Sequence, residues 1–258
     1  MSESAAVAAA PSLDASRLDA PLGPSVDGPA RDDGPLPGDP NTVDSFLFLA
    51  PDDPRRMMAD RQLRPGGVFD LRVLAAFDAV PRERFVAPHL QSVAYTDTPL
   101  RCVGGKRDLL SPLILGRMLQ AAETKTSDHV LDVAGGSGYS ACVLGRIAKT
   151  VVALEGEAIE TPFDLGDNVT RAIGPVAAGA QAKGPVDVIV VNGAIETAPT
   201  SLLAQLAEGG RLVALEKQGA ATQIVRYDRV GDDVNRRPVF NASGPILAEF
   251  RAPAGFVF

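Results

Sequence analysis

The sequence predicts an α/β protein with a doubly wound, mostly parallel sheet and an antiparallel C-terminal edge. From residue 129 onward, short branched apolar runs alternate with helix-sized segments. The run Val186–Val191 is almost entirely branched, as expected of a central parallel strand that is covered on both faces. The last two predicted strands, 223–230 and 245–250, have no helix-sized segment between them, which indicates antiparallel pairing.

Composition and cysteine usage exclude several classes of protein. The chain has 258 residues, 45% hydrophobic and 22% charged, and its apolar runs are too short to span a bilayer. Cys102 and Cys142 show no CxxC spacing, which excludes a disulfide scaffold or a zinc ribbon. His89 and His129 leave no recognisable metal site. No basic residue precedes Arg17, so export is not expected and the protein is predicted to be cytoplasmic.

The net charge of −7 is concentrated at the N-terminus, where residues 1–44 carry eight acidic side chains, two arginines and seven of the 21 prolines. Such a segment cannot bury enough apolar surface to offset its ordering entropy. We therefore predict a disordered acidic tail over residues 1–50 and one α/β domain over residues 51–258. The nearly neutral domain has no basic stripe and no tryptophan, which disfavours nucleic-acid binding, and no membrane partner is expected.

The N-terminal half of the domain is predicted to be helical with one long irregular segment. Asp53 can cap a helix over Pro54–Leu63, since proline suits the first helical position. A second helix ends before Pro81. Segment 82–105 lacks periodicity and is predicted to be an extended loop, after which Ser111-Pro112 opens a third helix.

The C-terminal half is predicted to alternate between strands and helices. Strands are expected over 129–133, 150–154, 168–173, 186–191 and 211–215, and helices over 139–149 and 199–208.

The glycine-rich stretch 130–139, V-L-D-V-A-G-G-S-G-Y, is the most informative part of the sequence. A strand that ends in small residues and leads into a helix places backbone N–H groups at the carboxyl edge of a sheet. Gly135, Gly136 and Gly138 allow a ligand to approach the backbone. Glu155, at the end of the next strand, can accept hydrogen bonds from both hydroxyls of a ribose. These features together predict a nucleoside-binding site.

Two cofactors compete for this site. Gly136-x-Gly138-x-x-Ala141 satisfies a loose dinucleotide fingerprint, so a nicotinamide cofactor is one alternative. Asp132 would repel a diphosphate, however, whereas the methionine part of S-adenosylmethionine has an ammonium group that suits it. Gly209-Gly210 before a strand, followed by an antiparallel pair, also favours a sheet of the S-adenosylmethionine-dependent methyltransferase type. A tight turn without a ligand is the other alternative.

Several stretches resemble, in the same order, the protein-L-isoaspartate O-methyltransferase family, and the resemblance covers roughly residues 57–258. The stretches are the N-terminal helix 57–63, the "PRE-F" signature at 80–86, the segment 94–100, the turn 130–139, the strand 185–191 and the approach 205–213. The resemblance implies methyl transfer from S-adenosylmethionine to the α-carboxyl of isoaspartate in damaged proteins or peptides. Such an acceptor is ionised at neutral pH, so alignment and exclusion of water suffice for catalysis.

The sequence departs from this family in the loop that the resemblance assigns to the substrate. The family loop reads approximately G-x-G-Q-T-I-S-x-P, and its serine is usually called catalytic. Setting Pro112 on the family proline places Leu110 at the serine position. Ser111 is the candidate catalytic residue, although its position before Pro112 also suits a helix N-cap.

At the other positions of the site, this sequence keeps some residues of the resembled family and replaces others. Lys106 and Arg107 stand over the glycine and glutamine of the family loop and are candidate carboxylate binders. The acidic residue expected after the third strand is replaced by Pro175, and the helix before that strand is shortened. The site therefore keeps Asp132, the three glycines and Glu155 as cofactor-binding candidates. A catalytically silent relative acting as a binding module, and a methyltransferase with another acceptor, are the alternatives.

Overall fold

The computed structural model describes residues 53–253, and the predicted disordered tail at residues 1–50 lies outside the described residues. The N-terminal part contains α1 (Pro54–Met58), α2 (Leu71–Ala79), a hairpin of β1 (Leu100–Arg101) and β2 (Asp108–Leu109), and α3 (Pro112–Ala122). A π-helical turn, Ala59–Leu63, extends α1 to the predicted end of the helix. The Asp53 carboxylate caps α1, as the sequence predicts, by accepting a hydrogen bond from Arg55 N (2.9 Å).

The main sheet has seven strands in the order β5-β4-β3-β6-β7-β8-β9. In chain order they are β3 (His129–Val133), β4 (Thr150–Glu155), β5 (Val169–Ile173), β6 (Val186–Ile195), β7 (Leu206–Gln218), β8 (Ala221–Val230) and β9 (Asp233–Asn241). The first five strands of this order are parallel, and β8 and β9 are antiparallel to their neighbours. The predicted fold class is therefore confirmed.

Helices on both faces of the sheet enclose two layers of core. In β6, Val188 and Val190 belong to one hydrophobic cluster and Ile189 and Val191 to the other, and all four are fully buried. This alternation follows from the two-residue period of a strand. It explains why the sequence of a central parallel strand is apolar at every position.

The short helices α4 (Tyr139–Gly145) and α5 (Thr200–Leu203) differ in length from their predictions. The predicted helix 199–208 is wrong in its second half, because Leu206 pairs with Val186 in the sheet. Sheet pairing overrides the helical spacing of the leucines here. The connection between β4 and β5, residues 156–168, is described throughout and contains no helix, in agreement with the predicted shortening.

The edge of the sheet also differs from the prediction. Segment 245–250 is not a strand: Ile246 forms a single bridge to Ala194, and Ala248–Phe250 is a 3-10 turn. The edge strand is β9, whose side chains are all exposed and therefore show no hydrophobic alternation. The loop predicted at 82–105 contains two 3-10 turns as well as β1. Within residues 53–253, no helix is long and apolar enough to cross a membrane.

Candidate functional site

The glycine-rich turn between β3 and α4 is held against the end of β4. Ala134 N donates to Leu154 O (3.0 Å), and Gly136 N donates to Glu155 Oε1 (2.6 Å). Gly136 and Gly138 adopt positive φ angles of 66° and 99°, which residues with side chains rarely adopt. The turn therefore depends on glycine and lies directly beside the Glu155 carboxylate.

Close packing requires glycine at position 135. A Cβ atom there would lie 2.4 Å from Asp132 Oδ2 and 2.5 Å from Ser140 Oγ. Ala134, by contrast, carries a side chain at a positive φ of 60°. This left-handed conformation costs a non-glycine residue about 1–2 kcal/mol. The turn therefore holds backbone strain at Ala134, directly before its glycines.

Asp132, at the end of β3, is a buried carboxylate with two partners. Its Oδ2 accepts a hydrogen bond from Ser140 Oγ (2.7 Å), and its Oδ1 accepts one from Asn192 Nδ2 (2.8 Å). Burial raises the pKa of Asp132 to about 7 and outweighs both hydrogen bonds, which lower the pKa. An ammonium group beside Asp132 would favour its ionised form.

Glu155 and Glu249 share the guanidinium of Arg107. Arg107 Nε donates to Glu155 Oε2 (2.7 Å), and Arg107 Nη2 donates to Glu249 Oε1 (2.6 Å). Burial by itself would raise the pKa of Glu249, but the hydrogen bond from Arg107 lowers it below its usual range. The arginine thus links the β1–β2 hairpin to the end of β4 and to the C-terminal segment.

Two cavities meet at Glu155. The larger, about 520 Å³, lies between the hairpin residues Lys106 and Arg107, the end of β4 and the segment 245–249. The smaller, about 90 Å³, lies under the glycine turn and is lined by Asp132 and by Glu155. The larger volume falls within the roughly 300–1,000 Å³ that is typical of small-molecule sites. A ligand can therefore extend from the turn, past Glu155, towards the hairpin.

The structure separates the two candidate positions of the substrate loop. Leu110 is 2% exposed and belongs to the hydrophobic core, so its side chain packs where the family has a serine. Ser111 occupies the N-cap position of α3, but its side chain makes no capping hydrogen bond. Leu113 N donates instead to Asp97 Oδ1 (2.9 Å). Ser111 is buried and lines neither of the two cavities.

Arg82 fixes this loop from the interior of the protein. Its side chain is completely buried, and its guanidinium donates to Leu110 O (2.8 Å) and to Ala94 O (2.9 Å). The guanidinium carbon lies 4.8 Å from the centroid of the Tyr139 ring. Burial lowers the pKa of Arg82. The arginine of the "PRE-F" signature thus connects the loop to the first turn of α4.

Three residues that contact the candidate site residues were not predicted from the sequence. Ser140 and Asn192 hold Asp132, and Glu249 holds Arg107. Asn192 had a signal, because it follows the apolar run 188–191 and β6 lies next to β3. Ser140 and Glu249 had none, since neither stands in a recognisable motif. The structure does bring the predicted Asp132, the glycines, Glu155, Lys106 and Arg107 to one sheet edge.

The residues present fit S-adenosylmethionine better than a dinucleotide. Asp132 and Glu155 flank the turn, and two carboxylates would repel a diphosphate. The same pair offers one acceptor for an ammonium group and one for ribose hydroxyls. The requirement for glycine at 135 and 136 keeps the backbone open to a ligand.

The sequence and the fold of the chain both resemble those of known proteins. Residues 55–241 match the sequence model of the family described as protein-L-isoaspartate(D-aspartate) O-methyltransferase. A protein-L-isoaspartate O-methyltransferase 2 from Anaeromyxobacter sp. (strain Fw109-5) is 39% identical over 170 residues, which are 63% of this chain and 70% of the relative. A protein-L-isoaspartate O-methyltransferase from Burkholderia thailandensis is 35% identical over 224 residues, 81% of this chain and 67% of the relative.

Two solved structures share the fold. A protein-L-isoaspartate O-methyltransferase superposes with a TM-score of 0.61 at 22% identity, covering 75% of this chain and 66% of the other. A structure from Plasmodium falciparum in complex with S-adenosyl-L-homocysteine gives 0.63 at 18% identity, covering 77% and 100%. At these identities the superpositions establish the fold of the chain.

Proposed function

Since the chain belongs to the protein-L-isoaspartate O-methyltransferase family, we propose that it methylates the α-carboxyl group of isoaspartyl residues in damaged proteins or peptides. The family match confirms the predicted family, the S-adenosylmethionine-dependent carboxyl methyltransferase class and the cofactor. The observation that carries the proposal is the pair of carboxylates, Asp132 and Glu155, on either side of one glycine turn.

Each part of the turn has a role towards the cofactor. Asp132, aligned by Ser140 and Asn192, would hold the methionine ammonium group. Glu155 would hold the ribose hydroxyls, and the glycines would let the cofactor lie against the backbone. Bound S-adenosylmethionine supplies an electrophilic methyl group on a sulfonium.

The acceptor side needs orientation more than acid–base chemistry. An α-carboxylate is ionised at neutral pH, so no general base is required. Lys106 and Arg107 of the hairpin line the larger cavity, which supports a role for both as carboxylate binders. Ser111 is our candidate for a hydroxyl that orients the acceptor, because capping of α3 is already provided by Asp97. Its side chain is buried outside both cavities, so this contact requires a shift of the loop between β2 and α3. Catalysis then consists of alignment and exclusion of water.

The remaining parts of the proposal rest on the sequence. The acidic, proline-rich composition of residues 1–50 supports a tail separate from the domain at 51–258. Cys102 and Cys142 are both free thiols, which supports a cytoplasmic location. The nearly neutral domain supports a partner that is neither nucleic acid nor membrane.

Radiolabelled methyl transfer to an isoaspartyl peptide tests the proposed activity, with the matching aspartyl peptide as control. We expect transfer to the isoaspartyl peptide only. Ser111→Ala should lower kcat/KM about tenfold, because one orienting hydrogen bond is worth roughly 1–2 kcal/mol. Equal rates for Ser111→Ala and the parent would remove Ser111 from the site. Binding of S-adenosyl-L-homocysteine without transfer to either peptide would indicate another acceptor, and no binding at all would indicate a silent relative.

Cofactor affinity should depend on pH through Asp132. With a pKa of about 7 in the folded chain, Asp132 must lose a proton to pair with an ammonium group. The affinity for S-adenosyl-L-homocysteine should therefore rise by up to about tenfold per pH unit from pH 5.5 to 7 and level off above 7. The stability of the free protein should change in the opposite direction. Because the pKa of Asp132 is higher in the folded than in the unfolded chain, the free energy of unfolding should fall as pH rises from about 4 to 7. Calorimetric titration over this range checks the first trend, and a flat profile would contradict it.

A further inference from the structure

Of the two cations that line the larger cavity in the described residues, Arg107 is the one whose side chain is mostly buried. Its side chain is 18% exposed, whereas that of Lys106, the other cation of the lining, is 85% exposed. Arg107 lies between Glu155 on β4 and Glu249 near the C-terminus, at 2.7 and 2.6 Å. An arginine is also a departure from the family loop, which has an uncharged glutamine at this point. The two ion pairs of Arg107 are therefore specific to this chain.

The contact to Glu155 occupies a group that the cofactor needs. Gly136 N holds Oε1 of this carboxylate, and Arg107 Nε holds Oε2. A ribose that presents two hydroxyls to Glu155 must compete with the guanidinium for Oε2. Arg107 can leave Glu155 without losing all its partners, because its Nη2 also donates to Glu249 on the wall of the same cavity.

The charges around the cavity determine what a displaced guanidinium would meet. Asp108 is paired with Arg101 (2.9 Å), and Glu157 is paired with Lys106 (3.0 Å). Of the two cations that line this cavity in the described part of the chain, only Arg107 has a partner that cofactor binding would remove. A carboxylate entering this acidic cavity would be repelled unless a cation meets it, and the planar guanidinium suits a carboxylate better than an ammonium does.

Building on the proposed function, we propose that Arg107 determines acceptor specificity: it is displaced from Glu155 when the cofactor binds and then pairs with the acceptor carboxylate. Among the described residues, both cations that line the bare cavity are paired, and cofactor binding would free Arg107 for the acceptor. Acceptors are selected for an ionised carboxylate. The methyl ester is neutral, so the same arginine no longer holds the product.

Replacement of Arg107 by glutamine separates this role from a structural one, because the two ligands should respond in opposite directions. Arg107→Gln removes the competitor for Glu155, so the Kd of S-adenosyl-L-homocysteine should fall about fivefold by calorimetry. The KM of an isoaspartyl peptide should rise about tenfold or more, with kcat changed less than about threefold. Arg237→Gln is a matched control, since Arg237 is also paired with a carboxylate (Asp228, 3.3 Å) but lies on β9 away from both cavities. It should change neither value.

A second variant, Arg107→Lys, keeps the proposal testable if Arg107→Gln does not fold. Arg107→Lys keeps the charge but not the fork of donors, and should give a peptide KM between those of the parent and the glutamine variant. Unchanged or weaker S-adenosyl-L-homocysteine binding in both variants overturns the displacement, and an unchanged peptide KM overturns the acceptor contact. Failure of the proposed function looks different, because the parent protein itself would then bind no S-adenosyl-L-homocysteine or methylate no isoaspartyl peptide.

Discussion

Replacement of Asp132 by asparagine is expected to weaken binding of S-adenosyl-L-homocysteine by about 30-fold or more. Removing one partner of a buried, hydrogen-bonded charge pair costs about 2–5 kcal/mol, and 2 kcal/mol corresponds to roughly 30-fold in Kd. Asparagine has the same shape and keeps an oxygen for Ser140, but its amide nitrogen faces Asn192 Nδ2, which is also a donor. The lost hydrogen bond lowers stability and removal of the buried charge raises it, so the melting temperature should fall by only a few degrees.

Asp78→Asn is the matched control for this measurement. Asp78 is also a buried carboxyl group whose pKa is raised, first of all by burial, but it lies on α2 and lines neither cavity. Its variant should bind S-adenosyl-L-homocysteine with the affinity of the parent. An equal loss of affinity for S-adenosyl-L-homocysteine in both variants would show that the effect comes from a change in the fold. An unchanged affinity in Asp132→Asn would remove the ammonium contact from the proposal.

Replacement of Arg211 by methionine should cause a large loss of stability. Arg211 Nη2 donates to Asp128 Oδ2 and to Glu123 O, both at 2.6 Å, and its Nε donates to Ala122 O. The side chains of Arg211 and Asp128 are each only 7% exposed. Removing the guanidinium leaves the buried Asp128 carboxylate without its cation and the carbonyls of Ala122 and Glu123, at the end of α3, without their donor. Such a loss costs about 3–5 kcal/mol. The melting temperature should fall by roughly 10 °C.

Thermal denaturation of Arg237→Met provides the comparison. Arg237 forms a single ion pair and is 54% exposed, so its loss should change the free energy of unfolding by no more than about 0.5–1 kcal/mol. A similar fall in melting temperature for both variants would show that the buried position of Arg211 is not what matters. The contrast therefore measures burial, since both substitutions remove an arginine charge.

The elements that the sequence predicts well are those with local causes. The turn at 134–138 was predictable because glycine is required by positive φ angles and by close contacts with neighbours only a few residues away. The start of α3 was predictable from Ser111-Pro112, although the capping carboxylate comes from Asp97, 16 residues before the amide that it accepts from. The burial of β6 followed from its uninterrupted branched residues.

The features that escaped prediction depend on contacts between distant residues. Arg107 and Glu249 are 142 residues apart, and no local pattern links them. Asn192 and Asp132 meet only because β6 and β3 are neighbours in the sheet. The charged strand β9 is stabilised by pairing with β8 and buries none of its side chains, so hydrophobic periodicity could not reveal it. Topology, which sequence patterns specify weakly, decides all three.

The helix-free connection between β4 and β5 has a kinetic consequence. Residues 156–168, described in full, contain no helix, and Ile173 at the end of β5 is 65% exposed while lining the smaller cavity. The end of the site away from the hairpin is therefore open to solvent. Weaker enclosure of a ligand acts mainly on its dissociation rate, because affinity differences between related complexes lie mostly in that rate. S-Adenosyl-L-homocysteine should consequently leave quickly after each turnover, so that spent cofactor accumulating in the cell inhibits this protein only weakly.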